Sequence, residues 1–352
     1  MMNIVKLQIE DQAPFHFGEA EGHLSDSFSS NQLFSAIANN IRLLYGPDKV
    51  KEFVSLSERD WAISSLFYGI DICPKGEENS NQTIYFLPRP KIDFQYNQEA
   101  YMSQKEFKKV EYISANLYKR LSQSWDGEKE AAILNPEDVL IISKKFALLK
   151  EETTSLDIAE HEWNSLSFLS VQVRPGVVVN RLHSKSDNYF TQEELIIHYE
   201  ETRNYIFKPF MYFFLSKPSP TYVSAAIRLL ADEGIGGKRS FGRGFFQNIE
   251  FLESPVNIDK DGRLFMTLSS YFPKKDEVHT LYSYELEKKN GFIYSQYGRT
   301  KRKKSILTVK EGSLLATKVE GEIIDIRPED FSDHPVYFYG KPLLVGFGGE
   351  PS

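Results

Sequence analysis

Eleven residues carry the sharpest chemistry in this 352-residue chain: Gly234-Ile-Gly236-Gly237-Lys238-Arg239-Ser240-Phe-Gly242-Arg243-Gly244, with five glycines and three cations. Glycine lacks Cβ, so a glycine-rich backbone can take φ > 0 and bring N–H groups close to a polyanion, while Lys and Arg neutralise phosphates. An RNA backbone suits such a loop. Any single glycine here could simply end a helix or form a turn, but five beside three cations favour binding. A nucleotide-binding P-loop is excluded by spacing: Asp232 stands where its first glycine belongs, and Arg239 where Ser or Thr must follow the lysine.

Two further segments contribute polar groups. Arg181, His183 and Lys185 alternate in the run from Arg174, which places them on one face of an extended strand or hairpin arm able to track phosphates. Taken alone, that run fits a charge-defended edge strand slightly better. His16 and His23 bracket Gly18 and Gly22 in the first loop, where an acid–base pair for RNA cleavage could be assembled. A loop histidine that only hydrogen-bonds is the commoner arrangement, and neither metal-ligand spacing nor a carboxylate cluster accompanies these two. The basic run from Lys301 to Lys304 reads first as a solvated charged loop and second as an RNA or partner contact.

The elements that must position these groups follow from periodicity. Ile4 to Ile9 alternates as a strand, and a helix begins at Ser29, where Ser29 and Gln32 have capping-box spacing. Its apolar stripe is Leu33, Ile37, Ile41 and Leu44, and Gly46 ends it. The same grammar returns later: residues 207 to 215 read as a doubly buried strand, and Ser219-Pro220 as the start of a helix. That helix carries Val223, Ala226, Ile227 and Leu230 inward, ends at Gly234, and leads through the glycine loop to a strand over 245 to 251 with Phe245, Ile249 and Phe251 on one face. Between the copies, residues 103 to 125 read as one polar helix with Phe107, Val110, Leu117 and Leu121 inward, and residues 151 to 162 as an acidic insertion. Beyond residue 260 the pattern is β, with a hairpin expected around Lys289-Asn290-Gly291 and turns at Gly312 and Gly321.

Composition bounds the rest. A length of 352 residues suggests two cores, and 41% hydrophobic with 26% charged residues is ordinary globular composition. One cysteine, Cys73, cannot build a disulfide framework or a multi-cysteine zinc site and fits a reducing compartment. The start lacks the apolar core of a signal peptide and no apolar run approaches the roughly 20 residues of a membrane span, so a cytoplasmic protein without a membrane partner is expected. A net charge of −7 argues against coating nucleic acid over the entire surface and leaves room for local basic faces.

Pro14-Phe-His16-Phe-Gly18-Glu19 followed by Ser29-Ser-Asn31-Gln-Leu33-Phe34-Ser35-Ala36 resembles the opening signature of RAMP-superfamily subunits of type III-A (Csm) CRISPR complexes, in particular their fourth, 5′-handle-binding subunit. The loop from Gly234 to Gly244 resembles their second signature. Further matches are Tyr85-Phe-Leu-Pro88-Arg-Pro90, Leu268-Ser-Ser-Tyr271-Phe-Pro273, Arg302-Lys303-Lys304 through Glu311-Gly312-Ser313, and His334-Pro-Val-Tyr-Phe-Tyr-Gly340, so the resemblance covers nearly the whole chain. Asn31 stands where these subunits usually carry Asp, and Arg243 at a variable, often aromatic position, where it would add an RNA contact.

The resemblance implies an α+β chain of two ferredoxin-like (RRM-like) domains with the glycine-rich loop and an inserted middle segment. The expected boundaries are 1–190, with a helical or thumb insert, and 191–352, with the glycine loop and a β-rich tail. It implies binding of the crRNA 5′ handle, only indirect contact with target RNA, a large polymerase-like subunit and a RAMP backbone subunit as partners, no catalytic centre, metal or other cofactor, and a hairpin thumb between the two signatures. The RNA-binding set so expected is His16, Gly18, Arg181, His183, Lys185, Gly234, Gly236, Gly237, Lys238, Arg239, Ser240, Gly242, Arg243 and Gly244. A metal-independent endoribonuclease that processes repeat RNA is the competing expectation, and a protein-interaction subunit with a purely structural loop the third.

Overall fold

A computed structural model describes residues 2–18, 24–77, 82–96, 105–180, 185–293 and 301–349. Strand β1 (Asn3–Gln8) buries Ile4, Val5 and Leu7 on both faces. A short strand β2 (Ala13–Phe15) follows, then helix α1 (Ser30–Tyr45). Gln32 Oε1 accepts the Ser29 backbone N–H at 2.9 Å, which satisfies one of the donors orphaned at a helix start, and Gly46 ends the helix at φ 84°. Leu33, Ile37 and Ile41 are buried as the stripe requires, whereas Leu44 lies past the packing surface and is 46% exposed. Helix α2 (Pro47–Arg59) leads to β3 (Phe67–Pro74).

The middle of the chain contains β4 (Gln82–Pro88), β5 (Tyr112–Ser114), α3 (Ala115–Ser124), β6 (Val139–Ile142) and β7 (Phe146–Leu149). The single helix expected over 103 to 125 is therefore interrupted: Tyr112 and Ile113 enter the sheet between β4 and β7, and Ser114 starts α3 by accepting the Leu117 N–H. Phe107, Val110, Leu117 and Leu121 are nonetheless all buried. The acidic segment is partly ordered against the core, with a helix at Glu160–Ser165 that buries Trp163. Next come β8 (Leu169–Asn180) and β9 (Lys185–Ile197), paired along their length, then β10 (Tyr205–Leu215), α4 (Thr221–Arg228) and β11 (Asn248–Glu253).

The largest sheet among the described residues has nine strands in the path β6-β7-β5-β4-β3-β10-β1-β11, with Glu200–Glu201 pairing on β10 outside that path. Its centre corrects the expectation of one ferredoxin-like unit per strand–helix–strand copy. Val5 of β1 lies between Phe213 of β10 and Phe251 of β11, both antiparallel, and β10 continues to β3. The order β11-β1-β10-β3 is that of one split β-α-β-β-α-β unit, its halves separated in sequence by residues 75–204. Segments from both sides of residue 190 thus share one sheet, because each half alone would leave its strands with an unpaired, apolar edge.

The β-rich C-terminal region forms a four-stranded sheet ordered Leu281–Ser283, Leu314–Leu315, Leu264–Thr267, Leu344–Phe347. The hairpin expected around Asn290 is absent from this pairing: Leu286–Lys289 pairs with Ile306–Val309 instead. Tyr339 anchors the region on α1 by stacking on Phe34 at 4.9 Å, and its backbone N–H donates to Asn31 Oδ1 at 3.1 Å. Asn31 is 8% exposed and therefore joins two parts of the fold as well as lying in the first turn of the helix.

Candidate nucleic-acid interface

The glycine loop leaves the short helix Leu230–Glu233 through Gly234 at φ 69°. Two pins fix it to the first loop: the Gly237 N–H donates to the His16 carbonyl at 2.8 Å, and the Gly244 N–H to the Pro14 carbonyl at 2.9 Å. The Ile235 N–H closes the loop on the Gly244 carbonyl at 2.9 Å. Glycine is required for this closeness. At Gly244, φ is 82° and an added Cβ would lie 2.0 Å from the Ile235 carbonyl oxygen; at Gly236, φ is 81° and Cβ would lie 2.7 Å from the His16 carbonyl oxygen. These glycines serve packing of one loop on another.

Between the pins the chain turns outward. Lys238 adopts a left-handed φ of 59°, Arg239–Phe241 form a 3₁₀ turn, and Gly242 closes it at φ 76°. Lys238, Ser240 and Gly242 are exposed, and Phe241 is 69% exposed. Lys238 makes no ion pair among the described residues. Its ammonium and the Ser240 hydroxyl are thus available to an anion, beside an aromatic ring on which a base could stack.

The other cations differ. Arg239 Nη1 donates to the Glu233 carbonyl at 3.3 Å and lies 3.7 Å from its carboxylate. Arg243 is 14% exposed at its side chain, and its Nε donates to Glu194 Oε1 at 2.7 Å. The expectation that Arg243 adds an outward RNA contact is therefore replaced by an internal ion pair, because Glu194 of β9 is packed directly beneath it. At Gly237, φ is outside the left-handed region, the N–H is engaged by the His16 carbonyl, and a Cβ would meet His16 Cδ2 at 2.9 Å.

His16 is half-buried beneath the loop, with Nδ1 3.0 Å from the Glu193 carbonyl. Gly18 pairs with Leu24 in a short two-stranded piece. Arg181 and His183, like His23, lie outside the described residues, and Lys185 is placed by its backbone at the start of β9, opposite Asn180. The structure thus gathers His16, Gly234, Gly236, Gly237, Lys238, Arg239, Ser240, Gly242, Arg243 and Gly244 in one place, against the base of the β8–β9 hairpin. In the expected secondary patch, Lys301 Nζ pairs with Asp330 at 2.9 Å and Arg302 lies over the Phe292 ring at 5.6 Å.

Two features escaped the sequence reading: the exposed apolar residues of the hairpin whose arm was expected in the run from Arg174, and a cleft. The β8–β9 hairpin exposes Val171, Val173, Val177 and Tyr189, the last by 73%, while Phe190 covers Gly176 on the facing strand. Alternation in 169–180 was the available signal. The second is a cleft of about 620 Å³ lined by Asp26, Tyr112, Lys145, Leu195, Lys310 and Glu311. Burial would lower the Lys145 ammonium, but the Asp26 and Glu111 carboxylates bonded to it hold it above its ordinary value, so this cation of the cleft is already compensated. Among the described residues no cluster of His, Cys, Asp and Glu could hold a metal ion, and no helix is long and apolar enough to cross a membrane.

Comparison with known proteins agrees along the chain. The family described as CRISPR Csm4 C-terminal domain matches residues 260–347. A Methanocaldococcus jannaschii protein described as CRISPR system Cms protein Csm4 is 28% identical over 381 residues, covering 98% of this chain and 98% of that protein. The protein of the same description from Thermococcus onnurineus is 26% identical, with 93% of each chain covered. In fold, the chain matches one from the crystal structure of the Csm3-Csm4 subcomplex of the type III-A CRISPR-Cas interference complex, with a TM-score of 0.64, 23% identity and coverage of 98% and 99%. It also matches one from the Csm1-Csm4 cassette in complex with cA4, with a TM-score of 0.57, 20% identity and coverage of 100% and 99%. Residues 260–347 thus match the Csm4 C-terminal domain family, and over nearly its full length the chain is similar in sequence to proteins described as Csm4 and in fold to Csm4-containing structures.

Proposed function

We propose that this chain is a non-catalytic, crRNA-binding subunit of a type III-A CRISPR interference complex, holding the repeat-derived 5′ handle and docking the large polymerase-like subunit and the RAMP backbone subunit. The observation that supports it most is the outward turn 238–242, which offers an uncompensated ammonium, a hydroxyl and an exposed ring on a frame pinned at both ends. A pinned frame matters because a flexible loop must be ordered on binding at the expense of affinity. The sheet of the split β-α-β-β-α-β unit serves as an RRM-like platform beneath it. The β8–β9 hairpin fits the thumb that the family resemblance implies, and Arg181, His183 and Lys185 lie at its tip in sequence. The complexes in which the similar chains were solved, with Csm3 and with Csm1, support the two protein partners. Contact with target RNA is indirect in this reading, and the chain works in the cytoplasm without a cofactor.

The test is binding of the purified chain to a labelled 5′-handle RNA and to a scrambled RNA of equal length, with capture of the two protein partners on co-expression. Preference for the handle, together with both partners in one particle, is the expected result. Equal, weak binding to both RNAs would overturn the handle assignment. Incubation with repeat RNA and magnesium should leave the RNA intact. Specific cleavage lost on His16→Ala would replace this reading by the endoribonuclease.

A further inference from the structure

Glu194 is a carboxylate with only 5% of its side chain exposed, and two guanidiniums converge on it from different elements. Arg243 of the glycine loop donates through Nε to Oε1 at 2.7 Å. Arg174 of β8 places its Nε 2.9 Å from Oε2, close enough for an ion pair, although Oε2 receives no aligned hydrogen bond. The other end of the Arg243 fork reaches the outward turn: Nη1 donates to the Phe241 carbonyl at 2.9 Å and contacts the Gly242 carbonyl at 3.5 Å. Glu194 is also on β9, next to Leu195, which pairs with Phe15 of the first loop. One carboxylate thus links both strands of the hairpin, through Arg243, to the turn that carries Lys238 and Ser240.

We propose that Glu194 is a positioning residue for RNA binding: acting through Arg243, it holds the 238–242 turn in register with the base of the hairpin, so that loop and hairpin engage one RNA strand as a single surface. This rests on the RNA-binding reading above. The sign of its effect separates it from simple electrostatics. A buried carboxylate beside a polyanion site repels phosphate, so its neutralisation should tighten binding by Coulomb's law and free two guanidiniums for new contacts. If its task is to position the turn, neutralisation weakens binding although the chain becomes more positive by one charge.

The experiment compares the full-length chain with Glu194→Gln and Arg243→Lys. Three readouts are taken on each: melting temperature, affinity for single-stranded handle RNA per folded molecule, and hydrogen exchange of residues 235–244 without RNA. Both variants should lose on the order of tenfold in RNA affinity, with faster exchange at Phe241 and Gly242, whose N–H groups close the turn. Arg243→Lys keeps the charge but cannot bridge Glu194 and the Phe241 carbonyl at once, so it reports on the clamp even if Glu194→Gln fails to fold. Unchanged or tighter RNA binding by folded variants, or unchanged exchange in the turn, would overturn the assignment; a lowered melting temperature with normal affinity would reduce Glu194 to a purely structural ion pair. If the unmodified chain binds no RNA while exchange in the turn still rises in both variants, the clamp stands and the RNA-binding reading fails instead.

Discussion

Lys238→Ala isolates the one loop cation that carries no internal partner among the described residues. Both residues have a Cβ, so the cost of the left-handed φ of 59°, about 1–2 kcal/mol, is the same before and after the change and cancels. The side chain is exposed and unpaired, so folding stability should move by less than about 0.5 kcal/mol. Binding should respond in a defined way. One phosphate contact on single-stranded RNA contributes about 0.7 to the slope of log K against log[salt]. Lines for the two proteins should therefore converge near 1 M salt and stand about 0.7 log units apart at 0.1 M, roughly fivefold or about 1 kcal/mol. Fluorescence anisotropy with labelled handle RNA over that salt range, alongside urea unfolding of both proteins, measures every quantity. Parallel lines would refute the reasoning, since a charge that touches phosphate must change the number of counterions released.

Three further outcomes are expected. Gly244→Ala places a Cβ 2.0 Å from the Ile235 carbonyl oxygen at a φ of 82° and should lower unfolding free energy by at least about 2 kcal/mol in urea melts; a shift under about 0.5 kcal/mol would contradict the loop packing. Gly237→Ala meets the His16 ring at 2.9 Å and the His16 carbonyl oxygen only at an ordinary 3.5 Å, so its cost of about 1 kcal/mol should largely vanish when His16→Ala is also present; additive losses in the double-mutant cycle would show that the ring is not the obstacle. Burial would raise the Glu277 carboxyl, but the N–H groups of Glu320, Lys274 and Gly321 and the Tyr271 hydroxyl hold it below its ordinary 4.5. Its folded value being depressed, its contribution is fully present above about 4.5 and is lost as pH falls through the folded value, so the melting-temperature gap between the chain and Glu277→Gln should shrink on acidification below that point. A gap that widens there would reverse the sign of the argument.

The residues that form each central element are legible in the sequence because their causes are local. Ser29, Gln32 and Gly46 mark both ends of α1, and Val223, Ala226, Ile227 and Leu230 trace the buried face around α4, since capping and helical periodicity act over a few residues. The glycine loop was visible for the same reason: five glycines beside three cations are a composition that needs no partner to be noticed. Pairing is different. Whether β10 and β11 close a sheet of their own or flank β1 depends on contacts more than 200 residues apart, which two similar local patterns cannot reveal. The interruption of the helix around Val110 came from the same source, since the edge of β4 gives Tyr112 and Ile113 backbone hydrogen-bond partners that a helix would deny them. Charges were misread for a related reason. Lys238, Arg239 and Arg243 look alike in the chain, yet β9 brings the Glu194 carboxylate under Arg243, Glu233 reaches Arg239, and Lys238 alone of the three is left to solvent among the described residues. Residue type determined which groups could meet a phosphate; burial and the arrival of distant carboxylates decided which of them are already occupied.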